Sequence, residues 1–355
     1  MHTETQKIKV LVADDSAFMR MILTDIINGD PALTVIDAAK NGEEACKLAK
    51  ELKPDVITLD VEMPFMDGLT ALEKIMQERP TPVVMLSALT QKGATATIAA
   101  LEIGAVDFIA KPSGNVSVDF TKLSQEIIAK IKTAAKAKIA SYKPLSAAAA
   151  MTQYKSKQDL AGFLKTNFSL IVIGTSTGGP RALHEVLSAL PEGLNIAILI
   201  VQHMPPDFTK SLAERLNHVS PFKVKEAAEG DLIEKGHAYV APGNYHMEIV
   251  QRNNDLCIHL SQAPPMNGHR PSVDMLFNSA AKIKDVKIGV IMTGMGNDGA
   301  LGMKAMKDSG IITIGESAET CVVYGMPKSA YKLGAVLYEV PLFKISNQIL
   351  QVLRS

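Results

Sequence analysis

Leu170-Ile171-Val172-Ile173-Gly174-Thr175-Ser176-Thr177-Gly178-Gly179-Pro180 reads as a strand, a glycine-rich turn and the start of a helix. An aliphatic run without polar alternation is what a strand buried on both faces of a parallel sheet requires. Glycine tolerates the tight turn, and proline suits the first turn of the helix that follows. The same style continues outward, with strands expected at Ile196–Val201, His237–Val240, Met247–Val250, Leu256–Leu260, Lys287–Met292 and Ile311–Ile314.

The Gly174-x-Ser176-x-Gly178 turn has three physical readings. Its backbone N–H groups can cradle a phosphate, its glycines can simply permit the turn, or the turn can lift a nucleophilic serine above the sheet. His203, in Gln202-His203-Met204-Pro205, ends the strand Ile196–Val201, and Asp298 lies just beyond Lys287–Met292. Strand carboxyl ends in an open parallel sheet converge on one crevice. Ser176, His203 and Asp298 are thus expected to meet there, with His203 accepting the serine proton and Asp298 orienting the imidazolium. The chain order Ser, His, Asp differs from the Ser, Asp, His order of α/β-hydrolases. The loop Gly294–Gly299 can point backbone N–H groups at an oxyanion, with Met295 as one donor, or be a plain glycine turn. His246 is the rival general base. His269 and Arg270 either line a substrate groove or lie ahead of a helix starting near Ser272.

A second alternation of strands and helices fills the first 130 residues. Strands are expected at Ile8–Ala13, Thr34–Ala38, Val56–Leu59, Pro82–Leu86 and Asp107–Ala110, with helices between them such as Gly42–Leu52 and Leu69–Arg79. Asp14 and Asp15 follow the first of these strands, and Asp60 follows the third. Three carboxylates gathered at neighbouring strand ends need a hard divalent cation, Mg²⁺, to offset their repulsion. Asp60 is then placed to attack a phosphoryl donor. Ser87 and Lys111, each at a strand end, can contact phosphoryl oxygens. Pro112 admits a cis bond after Lys111. Phe108 is either a switch aromatic or a core residue.

Composition sets the outer limits. The chain has 355 residues, with Lys plus Arg at 37 balancing Asp plus Glu at 37, and it is 47% hydrophobic. Two domains are the natural expectation at this length. The balanced charge gives no reason to expect nucleic acid as a partner. Apolar runs fall far short of the roughly 20 residues a membrane helix needs, so no membrane insertion is expected. The polar start, Met1 to Lys9, does not read as a signal peptide. Cys46, Cys257 and Cys321 are isolated, as befits a reducing, cytoplasmic compartment. Between roughly Lys130 and Gln158 the lysines have no acidic neighbours in sequence. That stretch is expected to be a helical extension followed by an exposed linker.

Asp14-Asp15-Ser16, Leu59-Asp60-Val61-Glu62-Met63-Pro64-Phe65-Met66-Asp67-Gly68, Ser87-Ala88 and Lys111-Pro112 together resemble the response-regulator receiver family over residues 8–130. The resemblance implies phosphorylation of Asp60 by a histidine kinase. The segments Gly174–Pro180, Gln202–Pro205, Gly268–Asp274 and Thr293–Gly299 resemble the chemotaxis methylesterase family from Ser169 to Leu350. By that pattern Ser176, His203 and Asp298 match a triad, and Thr177 and Met295 fall at its supporting positions. The implied chemistry is hydrolysis of glutamate γ-methyl esters on methyl-accepting chemotaxis receptors, with deamidation of receptor glutamines and no cofactor for either hydrolysis. The expected architecture is α/β: two doubly wound parallel-sheet domains, a flavodoxin-like receiver at 1–130 and a Rossmann-like methylesterase domain at 167–355. A linker at 131–166 joins them, and a monomer is expected.

Overall fold

The structure is a computed structural model and describes residues 7–111, 120–139, 168–253 and 255–354. Contacts divide the chain into two compact units, residues 1–142 and 143–355.

In the first unit β1 (Ile8–Ala13), β2 (Leu33–Ala39), β3 (Val56–Asp60), β4 (Val83–Ala88) and β5 (Asp107–Lys111) form one sheet in the order β2-β1-β3-β4-β5. All of its pairings are parallel. This is the flavodoxin-like order, whose reversal between β1 and β3 opens a crevice at their carboxyl ends. The connecting helices are α1 (Ala17–Asn28), α2 (Gly42–Leu52), α3 (Gly68–Glu78), α4 (Gln91–Ile103) and α5 (Phe120–Ala134). Ser16, Asn41, Asp67 and Thr90 each cap a helix by accepting a backbone N–H from its first turn. Each cap satisfies a donor the helix itself cannot pair.

The expected basic stretch is corrected at its start. Lys130 pairs with Asp107 at 3.3 Å and with Glu126 at 3.1 Å, and Lys132 pairs with Asp30 at 2.7 Å. Lys130 ties α5 to β5 and Lys132 ties it to the turn after α1; Asp107 and Asp30 are distant in sequence, whereas Glu126 lies one helical turn away. Residues 140–167, with most of the expected linker, lie outside the described residues, as does Pro112 with the bond expected to be cis.

The second unit contains a seven-stranded sheet ordered β14-β13-β12-β6-β7-β9-β8. Its strands are β6 (Ser169–Thr175), β7 (Ile196–Gln202), β8 (Lys223–Glu226), β9 (His237–Val240), β12 (Val286–Ile291), β13 (Ile312–Glu316) and β14 (Tyr338–Val340), all paired in parallel. The sheet is doubly wound and Rossmann-like, with β9 inserted between β7 and the edge strand β8. Two expected strands leave it: β10 (His246–Arg252) and β11 (Asp255–Ser261) pair antiparallel as a separate hairpin. The helices are α6 (Gly179–Ser188), α7 (Phe208–Val219), α8 (Val273–Ala280), α9 (Ala300–Asp308), α10 (Met326–Lys332) and α11 (Leu342–Arg354). Every residue of β6 and β7 is buried, and Val172, Leu199, Phe277 and Met303 share one core. The strand order reverses at β6, which separates β7 from β12, and this places the crevice at their carboxyl ends.

Candidate active site and acidic cluster

In the first unit, Ala13 on β1 is level with Leu59 on β3, so Asp14 and Asp60 stand side by side. One carboxylate oxygen from each of Asp14, Asp15 and Asp60 lies within 4.8 Å of the others. Lys111 Nζ reaches Asp14 Oδ2 at 2.8 Å and Asp60 Oδ2 at 2.7 Å. Burial pushes the Asp60 carboxyl up to about 6, with Lys111 opposing and Asp14 adding to the shift. Burial also opposes the Lys111 charge, but the two carboxylates prevail and raise its pKa. A clustered all-oxygen set of three carboxylates fits a hard divalent cation such as Mg²⁺. Ser87 is fully buried, one residue beyond the partner of Asp60 on β4. Phe108 is buried too, and Lys130 Nζ lies 5.0 Å from its ring centroid while donating to its carbonyl.

In the second unit, Thr175 on β6 pairs with Gln202 on β7, which puts Ser176 and His203 at one level above the sheet. Gln202 Nε2 donates to the carbonyls of both, at 3.0 Å to Ser176 and 3.2 Å to His203. The turn after Ser176 passes through Gly178 at φ +79°, a conformation glycine adopts without strain. Ser176 N donates to Thr293 O at 3.0 Å. The neighbouring Gly294 lies so close that a Cβ there would sit 2.7 Å from Ser176 Cβ.

His203 Nε2 lies 2.8 Å from Asp298 Oδ2. An ionised carboxylate only accepts, so Nε2 carries the proton and donates it. His203 Nδ1 is buried and has no hydrogen-bond partner. The expected Ser176–His203 hydrogen bond is therefore not made in this state, which is common for catalytic groups without substrate. The His203 ring stacks on His269, with centroids 3.8 Å apart and planes 7° from parallel.

Asp298 is buried at the N-terminus of α8. It accepts from Ser272 Oγ at 2.8 Å, Asn267 Nδ2 at 3.0 Å, Val273 N at 2.6 Å and Asp274 N at 3.3 Å. Burial alone raises a carboxyl pKa, but His203 and these donors outweigh it and hold Asp298 well below the ordinary carboxylate range. The helix N-terminus adds to this preference for negative charge. Asn267 also donates to Asp274 Oδ2 at 2.9 Å, tying two buried carboxylates together.

Gln202, Asn267 and Ser272 were not singled out by the sequence as site residues. The only local sign was their adjacency to His203 and to the Gly268–Asp274 segment. His246 is excluded as the base, because Nε2 lies 3.2 Å from Pro264 O and Nδ1 accepts from Ser272 N at 3.2 Å. The Arg270 guanidinium donates to Asn244 Oδ1 and to the carbonyls of Gln262 and Ala263, so it ties loops together. The cis peptide bond of the described residues is Arg270–Pro271. Thr177 is buried beside the elbow, its carbonyl accepting from Thr293 Oγ1, while Met295 is 36% exposed next to Gly294.

Comparison with known proteins covers both units. Residues 171–349 match the CheB methylesterase family, and residues 10–120 match the response regulator receiver domain. A protein-glutamate methylesterase/protein-glutamine glutaminase of Pyrococcus abyssi is 48% identical over 98% of this chain and 94% of its own. Proteins of the same name from Oceanobacillus iheyensis and Salmonella typhi are 46% and 48% identical; the alignments cover 98% and 97% of this chain, and 99% and 96% of theirs. Among solved structures, the catalytic domain of the Thermotoga maritima CheB methylesterase matches 52% of this chain and 99% of its own, at 41% identity and a TM-score of 0.51. The chain therefore belongs to the CheB methylesterase family of protein-glutamate methylesterases/protein-glutamine glutaminases, with a receiver domain ahead of the methylesterase domain.

Proposed function

We propose that this chain is a serine hydrolase whose rate is set by phosphorylation of its receiver. Ser176 is the nucleophile, His203 the general base and Asp298 the residue that holds His203. The observation that carries this reading is the His203–Asp298 hydrogen bond of 2.8 Å, beside a serine at the same strand level. With Nε2–H committed to Asp298, Nδ1 is the lone pair left to take the Ser176 proton.

Ser176 Oγ attacks the γ-carbonyl of a methylated receptor glutamate, and the serine proton passes to His203 Nδ1. Backbone N–H groups at Thr177 and Met295 stabilise the oxyanion. Collapse transfers that proton to the leaving oxygen, releasing methanol and leaving a glutamyl ester on Ser176. Water, deprotonated by His203, then frees the glutamate and restores the serine. A receptor glutamine follows the same course with ammonia as leaving group, because the acyl centre is shared. His269, stacked on His203, borders the groove that admits the receptor helix.

Asp14, Asp15 and Asp60 would hold Mg²⁺ in the receiver, where it would supply neutralisation of charge on the transferring phosphoryl group. Asp60 accepts the phosphoryl group from a histidine kinase, Lys111 and Ser87 contact its oxygens, and Phe108 responds to it. Phosphorylation at Asp60 raises the rate of hydrolysis at Ser176. The three thiols, all free, suit a cytoplasmic location. Among the described residues no helix is long and apolar enough to cross a membrane.

Methanol release from methylated receptor by the wild type and by Ser176→Ala tests the catalytic half; an active Ser176→Ala enzyme ends it. Equal rates with and without acetyl phosphate end the regulatory half.

A further inference from the structure

Glu316 ends β13 with its side chain fully buried, and none of the chemistry above uses it. Its Oε2 accepts the backbone N–H of Thr293 at 2.8 Å, and its Oε1 accepts the Thr320 hydroxyl at 3.0 Å. Thr293 in turn holds the nucleophile's turn from beneath. Its carbonyl accepts both Ser176 N and Thr175 Oγ1 at 3.0 Å, and its own hydroxyl donates to Thr177 O at 2.9 Å. Thr293 also immediately precedes Gly294, where an added Cβ would sit 2.7 Å from Ser176 Cβ. One carboxyl group thus fixes a residue that grips Thr175, Ser176 and Thr177.

We infer that Glu316 is a positioning residue for the nucleophile, acting through Thr293 to fix the height and direction of Ser176 and the start of the Gly294–Gly299 loop. This rests on the reading of Ser176 as the nucleophile. A buried carboxyl in mostly apolar surroundings is a costly way to fill space. Burial pushes it up to about 7, with Glu185 adding to the shift and the bonds from Thr293, Thr320 and Cys321 opposing it. What an apolar residue of similar size lacks is an acceptor for the Thr293 N–H. A glutamine keeps a carbonyl oxygen for that N–H, and the Thr320 hydroxyl can rotate to accept from its amide.

The test compares Glu316→Gln and Glu316→Leu with wild type in the full chain, on methylated receptor. A fluorophosphonate probe titrates Ser176, so that kcat is expressed per reactive site and any unfolded fraction drops out. Glu316→Leu is expected to lose at least tenfold in kcat per titrated site with KM within about twofold, and in probe labelling rate by a similar factor. Glu316→Gln is expected to stay within about threefold of wild type in both. Equal kcat per site for Glu316→Leu and wild type overturns the inference, and so does a Glu316→Gln enzyme as impaired as Glu316→Leu. Should Glu316→Leu not fold, Thr293→Val removes the hydroxyl link to Thr177; unchanged kcat there overturns the inference equally. An active wild type that the probe never labels at Ser176 overturns the nucleophile reading and this inference with it, whereas a labelled wild type with an unaffected Glu316→Leu overturns this inference alone.

Discussion

Asp298 receives the hydrogen bond of His203 on Nε2, at 2.8 Å, and not on Nδ1. The carboxylate therefore selects the tautomer with a proton on Nε2 and a lone pair on the buried, unpartnered Nδ1. Nitrogen NMR of the resting full chain is expected to show a protonated Nε2 on His203. Asp298→Asn removes the negative acceptor while keeping the shape of the site. It is expected to lower kcat by about 10³- to 10⁴-fold with folding retained, measured as methanol release.

Ser272 performs two tasks with one hydroxyl. It caps α8 by accepting from Met275 N and donates to Asp298 Oδ1 at 2.8 Å. Ser272→Ala removes a cap, about 0.5–2 kcal/mol, and a hydrogen bond to a charged group, about 1.5–3 kcal/mol. The combined expectation is a loss of about 2–4 kcal/mol in urea unfolding, because the two terms are not fully additive. The less firmly held Asp298 is expected to cost roughly tenfold in kcat as well, equivalent to about 1.4 kcal/mol.

Glu316 makes stability depend on pH in a direction set by its raised pKa. The folded state holds a proton up to about 7, whereas the ordinary glutamate value is 4.5. Between those values the folded state binds more protons than the unfolded one, so stability falls as pH rises and then levels off. The shift corresponds to at most about 3 kcal/mol. Glu316→Gln removes this dependence and is expected to gain stability relative to wild type between pH 5 and pH 8. Unfolding curves at several pH values for both proteins check it; a constant difference between them contradicts the assignment.

The acidic cluster predicts a cation effect on the receiver. Mg²⁺ at a hundred times its dissociation constant stabilises the folded unit by about 2.7 kcal/mol, seen as a rise in its thermal transition. Asp60→Asn removes one of the clustered carboxylates and is expected to abolish most of that rise. The same variant is expected to keep basal demethylation and lose activation by acetyl phosphate.

Most of the central strands were legible from the chain itself. Val56–Asp60 and Ser169–Thr175 are buried throughout, so their aliphatic runs report a strand covered on both faces. Both edge strands of the second sheet, Lys223–Glu226 and Tyr338–Val340, escaped notice because edges are short and half exposed, leaving little apolar signal. The hairpin of β10 and β11 was seen as strands, but which sheet a strand joins is a tertiary choice that local pattern does not encode.

By itself, the sequence determined the two α/β units, the strand-end carboxylates Asp14, Asp15 and Asp60, and the serine turn, with His203 and Asp298 placed beyond neighbouring strand ends. These features are written in local periodicity and in residues placed at strand ends, and the topology of parallel sheets brings such ends together. Only the tertiary structure decided which imidazole nitrogen faces Asp298, that His246 is spent on Pro264 and Ser272, and that Lys132 answers Asp30. It also decided that Glu316 grips Thr293 beneath Ser176. Hydrogen bonds and ion pairs act over about 3 Å but join residues far apart in the chain, so their geometry exists only once the sheets have assembled.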